Sequence, residues 1–308
     1  MKRILTHYTP QPFQGLKTND DLSRILKIPL GTLLYHAYGK GSRYKTEQIP
    51  KPDGSMRTLH KPNPTLKQMQ RKILRQLSIG APLGKSIYGV GTGRGIADNA
   101  RLHSRNPYVA RFDIRSYFPS IHRTMIESLF CDLGCEKDTA HLLTALTTNN
   151  HCLPQGAPTS NYLSALVFAN ADHRLELLAR KNRLIYSRYF DDITLSGKNA
   201  IQPFSQDVRS IVREGGFVLN TRKTRYFEPS EDKNITGVVV RSGTLCVPIQ
   251  QDYVESYLTK LENGIITEAQ CWADKKHIEG YLSFINQINS TASAALKGRY
   301  EQLLRPQR

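Results

Sequence analysis

The spacing of apolar and polar positions predicts a mixture of helices and strands. Residues 66–79, LKQMQRKILRQLSI, place apolar side chains three or four positions apart with basic residues between them, as in an amphipathic helix. Residues 108–114, YVARFDI, predict a strand in which apolar residues flank one carboxylate, and residues 184–197 predict two strands around a doubly acidic turn. Because acid-bearing strands are scattered between helices, an α+β fold is favoured over a doubly wound nucleotide-binding fold.

The other segments extend this mixed pattern. Two short helices are predicted within 19–38 and a strand pair within 43–60, around the turn Pro52-Asp53-Gly54. The glycine-rich loop at 89–95, which a short helix to about residue 104 is predicted to follow, lacks the strand–helix unit with a downstream ribose-binding acid that frames a dinucleotide site, and we expect a flexible turn near nucleic acid. Further elements are predicted as two helices in 122–148, one long helix at about 160–180, a helix at 203–215, strands near 224–228, 235–241 and 244–248, and helices from 250 onward.

The chain is strongly basic. Its 308 residues include 43 Lys and Arg against 26 Asp and Glu, which gives a net charge of +17. Such an excess repels itself in a compact fold, and nucleic acid is the polyanion that most commonly offsets it. We find no lipidation site and no apolar run long enough to span a membrane, so we expect a soluble, cytoplasmic protein with no membrane partner.

The cysteines argue against a disulfide framework and against a zinc site. They are Cys131, Cys135, Cys152, Cys246 and Cys271, an odd number with no CxxC pair. Both kinds of site depend on paired spacings. We therefore expect reduced thiols.

Two acidic sites carry the candidate chemistry. Asp113 interrupts an apolar strand, and Asp191 and Asp192 occupy the tip of a tight turn. Transfer of a nucleotide from a triphosphate uses two Mg²⁺ ions, which carboxylates from separate strands hold through oxygen ligands. Either site alone would more often be a solvated acid, as at a hairpin tip. Together they predict a two-metal site.

The surrounding motifs resemble those of reverse transcriptases. They are, in chain order, IPKPDGSMR at 49–57, FDIRSYF around Asp113, LPQGAPTS around Gln155, YFDD at 189–192, and LNTRKT ending near Lys223. Five motifs in the order that this family shows are far more specific than any one of them.

The resemblance narrows to the retron class of bacterial reverse transcriptases. Residues 99–103, NARLH, match its NAxxH signature, and residues 235–237, ITG, are similar to its VTG motif. The segment 280–289, GYLSFINQIN, resembles the retron thumb. Asn161 and Phe190 differ from the commonest residues at their positions, and neither is an expected metal ligand.

The resemblance also implies roles for individual residues. Asp113 and Asp191 would bridge the metal ions, with the Ile114 carbonyl in one coordination shell and Asp192 assisting. Phe118 would pack under the sugar of the incoming nucleotide and reject a 2′-hydroxyl. The remaining dNTP-binding candidates are Lys51 and Arg57 for the triphosphate, Gln155 and Gly156 for the nucleotide pocket, and Lys223 for protonation of pyrophosphate.

Four class-specific residues are left with two interpretations. Asn99 and His103 lie four positions apart and hence on one helix face, and Thr236 and Gly237 belong to the VTG-like motif. They either contact RNA or support the structure, and the sequence does not decide between these.

A right-hand polymerase with fingers, palm and a C-terminal helical thumb is the implied fold. The predicted division is an N-terminal helical segment at 1–40, fingers with part of the palm at 41–107, palm at 108–245 with a helical fingers insertion at about 122–180, and a helical thumb at 246–308. Within the thumb, Trp272 and Tyr281 are interpreted as core residues.

Retron-like function implies several partners. These are a cognate noncoding RNA that serves as primer and template, dNTPs, a branched RNA–DNA product (msDNA), and a separate effector protein in antiphage defence. Three alternatives are another bacterial reverse transcriptase such as a group II intron type, a non-catalytic RNA-binding scaffold, and an unrelated phosphohydrolase. The NAxxH match weighs against the first, the three retained acids against the second, and the QG motif against the third.

Overall fold

Helices and strands are interleaved along the chain in a computed structural model, which describes residues 13–50, 54, 56–91 and 93–304. The first half contains α1 (Asn19–Leu26), α2 (Leu30–Tyr38), β1 (Tyr44–Pro50), β2 (Met56–Pro62), α3 (Pro64–Gly80), β3 (Ile87–Tyr88), α4 (Ile96–His103), β4 (Tyr108–Ile114), α5 (Tyr117–Ser120), α6 (Arg123–Asp132) and α7 (Lys137–Thr147). The second half contains α8 (Ser160–Val167), α9 (Ala169–Lys181), β5 (Ile185–Tyr189), β6 (Asp192–Gly197), α10 (Ser205–Glu214), β7 (Leu219–Phe227), β8 (Lys233–Ile235), β9 (Val238–Arg241), β10 (Thr244–Cys246), α11 (Pro248–Glu262), α12 (Glu268–Ile288) and α13 (Ser290–Leu303). The predicted α+β class is confirmed.

The residues at the start of α3 explain where this helix begins, and its apolar residues explain which face is buried. The Asn63 side chain caps its first turn by accepting a hydrogen bond from the Leu66 backbone N–H at 2.9 Å, and Pro64 occupies a first-turn position that proline tolerates. Its apolar stripe, including Leu66, Ile73 and Leu77, is buried in the main core.

A five-stranded sheet in the order β3-β5-β6-β4-β7 positions the acids. β4 lies at its interior, paired antiparallel with β6 on one side and with β7 on the other. β5 and β6 form a hairpin that places the doubly acidic turn beside the end of β4. Both predicted acidic strands are therefore neighbours in one sheet.

The hydrophobic residues form two cores. The larger one joins the helices α1–α3 and α6–α10 to the five-stranded sheet. The smaller one joins α11–α13 to the sheet β8-β9-β10, and it includes Ala100 of α4 and Val109 of β4. The C-terminal helices thus pack against the element that carries the NAxxH residues. The division into fingers, palm and thumb stays a prediction.

Several elements differ from the sequence-based prediction. The long helix expected at 160–180 is two helices, α8 and α9, which meet at Phe168. The Phe168 ring is buried and packs 5.0 Å from that of Phe217, so tertiary packing redirects the chain where neither Gly nor Pro marks a break. The strand expected at 235–241 is the hairpin β8–β9, β7 begins at Leu219 rather than near 224, and β3 was not predicted.

The interpretation of Trp272 as a core residue was wrong. Its side chain is 63% exposed, because Cys271, one position earlier on α12, takes the buried face of the helix. The ammonium of Lys275 lies 4.8 Å from the centre of the indole ring. Tyr281 is half-buried and packs 4.9 Å from the ring of Tyr253.

All five cysteines are free, as expected from their spacing. Within the described ranges, no helix has both the length and the hydrophobicity to cross a membrane.

Candidate active site

The three predicted metal ligands meet at the junction of β4 and the β5–β6 hairpin. Asp113 of β4 and Asp192 of β6 are directly opposite each other in the antiparallel register. Side chains at opposed positions share a face of the sheet, with Cβ atoms roughly 5 Å apart. The backbone N–H of Ile114 donates to the Asp191 carbonyl at 2.9 Å, which fastens the turn to the end of β4.

The turn itself has an unusual backbone. Tyr189 pairs with Asp192, so Phe190 and Asp191 form a two-residue turn. Phe190 has φ +52°, a left-handed conformation that favours glycine and that is uncommon for a bulky side chain. Such conformations persist where surrounding contacts hold them, and they cluster at functional sites.

The acids repel one another. Burial, followed by the charges of Asp192 and Asp113, raises the pKa of Asp191 to about 6, although Lys223 lowers it. Burial also raises the pKa of Asp192, against the opposing effect of Arg111. A cluster of partly buried carboxylates with raised pKa values is typical of a site that receives positive charge.

Two basic side chains neutralise part of this charge. Arg111 Nη2 lies 3.3 Å from Asp192 Oδ1, and Lys223 Nζ lies 3.5 Å from Asp113 Oδ2. Arg111 also donates to the Asn234 carbonyl at 2.9 Å, which connects the acids to β8. The sequence analysis missed Arg111, because a lone arginine two positions before Asp113 is normally interpreted as a solvated strand charge.

The oxygen ligands that Asp113, Asp191 and Asp192 offer are of the kind that divalent cations bind. Their side chains are not arranged around a single ion position. Across the part of the chain that the structure describes, no three His, Cys, Asp or Glu side chains converge on one ion position. Arg111 and Lys223 hold two of the three carboxylates instead. Carboxylate oxygens are ligands that hard divalent cations such as Mg²⁺ prefer.

The predicted dNTP-binding residues are spread over several elements. Phe118 lies half-buried on α5, next to the buried Tyr117, with the two ring centroids 5.5 Å apart. Arg57 is exposed on β2, and Lys51 falls outside the described residues. Lys223 is exposed on β7 and reaches Asp113, as described above.

The QG motif contacts the β1–β2 hairpin. The His60 backbone N–H donates to the Gln155 carbonyl at 2.7 Å. Gly156 has φ +112°, and a Cβ added there would lie 3.3 Å from the His60 carbonyl oxygen. Glycine therefore permits a close approach to the strand that carries Arg57.

The glycine-rich loop is closely packed rather than flexible at its start. The Gly89 backbone N–H donates to the Arg94 carbonyl at 2.9 Å. A Cβ on Gly89 would lie 2.8 Å from the Tyr189 ring and 3.2 Å from the Phe190 ring. This loop supports the aromatic residues of the acidic turn.

The side chains of the NAxxH residues make buried hydrogen bonds within the protein. Asn99 and His103 are fully buried on α4, which favours the interpretation that they support the structure. His103 hydrogen-bonds through both ring nitrogens, to Ser196 of β6 and Ser187 of β5, each at 2.7 Å. The Ser187 hydroxyl donates its hydrogen to Asn99 Oδ1, so it can only accept from His103. The neutral His103 ring therefore carries its hydrogen on Nε2 and accepts from Ser196 at Nδ1.

The VTG-like motif joins the same network. The Asn99 amide donates to Thr236 Oγ1 at 3.3 Å. Thr236 and Gly237 form the two-residue turn between β8 and β9, and both have positive φ (+51° and +90°), as in a type I′ turn. Asn99, His103 and Thr236 are thus joined in one buried hydrogen-bonded cluster against the β5–β6 hairpin, whereas Gly237 is exposed.

Comparison with known proteins agrees with this geometry. Residues 49–242 match the model of the family described as reverse transcriptase (RNA-dependent DNA polymerase). The chain is 28% identical to the retron Ec86 reverse transcriptase of Escherichia coli, over 90% of this chain and 86% of that protein. It is 27% identical to the retron Mx65 reverse transcriptase of Myxococcus xanthus, over 92% of this chain and 71% of that protein.

Solved structures include more distant neighbours. Telomerase from Candida albicans, in complex with a fragment of telomeric RNA, aligns at a TM-score of 0.48 and 12% identity, over 85% of this chain and 56% of that one. This chain spans little more than half of that telomerase, and a likeness at this level says nothing about what this chain does. The match of residues 49–242 and the retron similarity along most of the chain lead to one assignment. The chain belongs to the reverse transcriptase family, with the right-hand polymerase fold and RNA-directed DNA polymerase activity, and it resembles the retron reverse transcriptases of bacteria.

Proposed function

We propose that this protein uses a cognate noncoding RNA as both primer and template and makes a branched RNA–DNA hybrid by two-Mg²⁺ nucleotidyl transfer in the cytoplasm. The observation that carries the proposal is the direct pairing of Asp113 with Asp192 across β4 and β6, with Asp191 in the adjoining turn. Retron-type similarity over most of the chain supports the choice of RNA partner.

Mg²⁺ ions, when bound, would compensate charge on the attacking oxygen, the transferred phosphorus and the leaving pyrophosphate. In this proposal Asp113 and Asp191 would hold the ions, with the Ile114 carbonyl and Asp192 as further oxygen ligands. Arg111 and Lys223, which neutralise two of these carboxylates, would have to give them up to the ions. Lys223, already beside Asp113, is then free to protonate pyrophosphate.

The nucleotide would be held by residues around the acids. Phe118 blocks a 2′-hydroxyl by bulk, and Gln155 and Gly156 line the pocket. Lys51 and Arg57 neutralise the triphosphate from the β1–β2 hairpin, and arginine offers a planar fork of donors for it. The contact between Gln155 and His60 supports this arrangement, because it joins that hairpin to the QG motif.

The biological role is proposed from similarity alone. Named relatives are retron reverse transcriptases, so we place this protein and its RNA–DNA product with a separate effector protein in antiphage defence. Cells carrying the gene, its RNA and its effector should plate phage less efficiently than cells with an Asp191→Asn variant. Equal plating by the two would contradict a role for DNA synthesis in defence.

Synthesis on the bound RNA tests the enzymatic proposal. The protein is purified with its nucleic acid and given labelled dNTPs and Mg²⁺. We expect DNA covalently joined to RNA from the wild type and none from Asp191→Asn/Asp192→Asn. Asp207→Asn/Asp252→Asn, which changes two exposed acids on α10 and α11, is the matched control and should retain full yield. Equal yield from the first double variant would refute the metal assignment.

A further inference from the structure

Arg188 is a charged side chain with no exposed surface, three positions before Asp191. It lies on β5, the strand that leads into the acidic turn. A buried guanidinium is costly unless hydrogen-bonding partners surround it, so its partners indicate what it does.

One side of the guanidinium binds Asp172 of α9. Nε donates to Asp172 Oδ1 at 2.7 Å and Nη2 donates to Oδ2 at 2.5 Å, a two-point pairing. The Tyr186 hydroxyl donates to the same carboxylate at 2.5 Å. The guanidinium also lies 4.7 Å from the centre of the Phe168 ring, at the junction of α8 and α9.

The third nitrogen points to the active site. Arg188 Nη1 donates to the Phe190 carbonyl at 2.8 Å and lies 3.1 Å from the Tyr117 hydroxyl. Phe190 is the residue with the left-handed backbone, and its carbonyl carbon is bonded to the Asp191 nitrogen. Tyr117 directly precedes Phe118 and donates its hydroxyl to the Ser164 carbonyl at 2.8 Å.

From these contacts we propose that Arg188, held in place by Asp172, is a positioning residue that fixes the Asp191 turn and the Tyr117–Phe118 segment for nucleotidyl transfer. The inference rests on the proposed function, because it assumes that Asp191 binds metal and that Phe118 contacts the sugar. A single rigid group then sets the distance between the metal ligands and the sugar-sensing residue.

A purely structural ion pair would not need the third contact. Buried ion pairs can commonly be replaced by apolar residues of similar volume without loss of folding, because such replacements remove both charges together. The donor given to the Phe190 carbonyl is separate from those given to Asp172. The double variant Arg188→Met/Asp172→Leu therefore removes the positioning contact and leaves no unpaired charge.

Three measurements on this double variant test the inference. Stability in EDTA shows whether the protein folds. Binding of Mn²⁺, followed by the electron paramagnetic resonance signal of the free ion, reports on the metal site without catalysis. Single-nucleotide addition to an annealed RNA–DNA primer–template gives kcat and KM for dNTP. A matched control is Arg174→Met/Glu214→Leu, which removes an exposed pair (2.7 Å) that joins α9 to α10.

We expect a folded double variant with Mn²⁺ affinity reduced at least about 10-fold, as for loss of groups that support metal ligands. We expect kcat to fall roughly 100-fold, since small displacements of reacting groups have effects of that size, with a smaller change in KM. The control should match the wild type in all three. A folded double variant with wild-type Mn²⁺ affinity and kcat would overturn the inference.

If the double variant does not fold, Arg188→Lys takes its place. Lysine keeps a cation beside Asp172, but one ammonium cannot replace a guanidinium fork that spans Asp172 and the Phe190 carbonyl. We expect a folded protein with at least about 10-fold lower kcat and Mn²⁺ affinity, and wild-type values would again overturn the inference. Failure of the proposed function is distinguishable, because wild-type protein would then make no DNA joined to its bound RNA, whereas Mn²⁺ binding and nucleotide addition to the annealed primer–template would still test Arg188.

Discussion

Asp113 and Asp192 face each other because β4 and β6 pair in one particular register. A shift of that register by one residue would move a carboxylate to the opposite face of the sheet and separate the pair. A backbone hydrogen bond from Ile114 to Asp191 holds the acidic turn against the end of β4. Elsewhere, the absence of a side chain at Gly156 lets the QG motif approach β2.

Replacing Phe118 with alanine should weaken discrimination against ribonucleotides. Removal of the half-buried ring opens space for a 2′-hydroxyl, and because an apolar pocket rejects an added hydroxyl by roughly 100-fold, selectivity should fall by up to that factor. The measurement is the ratio of kcat/KM for dNTP and rNTP. Phe204→Ala, which removes another half-buried phenylalanine from the same core, is the control. Unchanged discrimination by Phe118→Ala would exclude the proposed contact with the sugar.

Alanine at Gly156 should destabilise the protein by about 1–3 kcal/mol, because a side chain at φ +112° is strained and its Cβ would crowd the His60 carbonyl. Urea denaturation measures the change. Gly280→Ala, within α12 and with no atom close to the added Cβ, should instead stabilise by about 1 kcal/mol. Destabilisation of the same size at both positions would show that the left-handed backbone is not the cause.

At the scale of elements, α4 holds the catalytic hairpin from behind. Its buried polar residues bind β5, β6 and the β8–β9 turn, and its apolar residues join the core of the C-terminal helices. A buried and fully bonded polar cluster favours one arrangement of the elements that it connects.

That cluster should make stability depend on pH. Burial lowers the pKa of His103 to about 3, so the folded protein keeps it neutral while the unfolded chain protonates it near pH 6.5. Stability is fully present above that pH and declines as pH falls toward 3, by about 2 kcal/mol at pH 5. Urea denaturation at pH 7.5 and pH 5 measures the loss. His103→Asn should lose about 2 kcal/mol less than wild type, whereas His141→Asn, an exposed control, should match it.

Most helices and strands, and the grouping of the three acids, could be predicted from the sequence. The reason is that β4 and the β5–β6 hairpin have clear strand patterns of apolar residues around the acids. The sequence did not predict the break at Phe168 or the hairpin at 235–241, which depend on tertiary packing and on a turn with threonine at positive φ. It also missed Arg188. A basic residue beside acids is usually solvated, and only the pairing of α9 with β5 shows that this one is buried.

At the scale of the whole molecule, the positive net charge determines which partners the protein surface attracts. The net charge of +17 contrasts with a cluster of acids at the active site, and exposed lysines such as Lys260 and Lys276 lie on the C-terminal helices. Such a distribution attracts a polyanion to the protein surface.

RNA binding should therefore weaken steeply with salt. Each phosphate neutralised contributes to the slope of log K against log salt, because bound counterions are released. Fluorescence anisotropy across salt concentrations measures the slope for the wild type and for Lys260→Gln/Lys276→Gln. We expect the slope to fall by about 1 for each lysine that contacts phosphate. A flat salt response of the wild type would contradict phosphate contacts as the basis of binding.

Anomalous diffraction from crystals soaked with Mn²⁺ and a dNTP tests the central claim most directly. The account predicts two peaks roughly 3.5–4 Å apart, between the carboxylates of Asp113 and Asp191, with Arg111 and Lys223 displaced. Asp113→Asn crystals should lose at least one of them. Peaks elsewhere, or none at these residues with nucleotide bound, would contradict the assignment of the acids as the metal site.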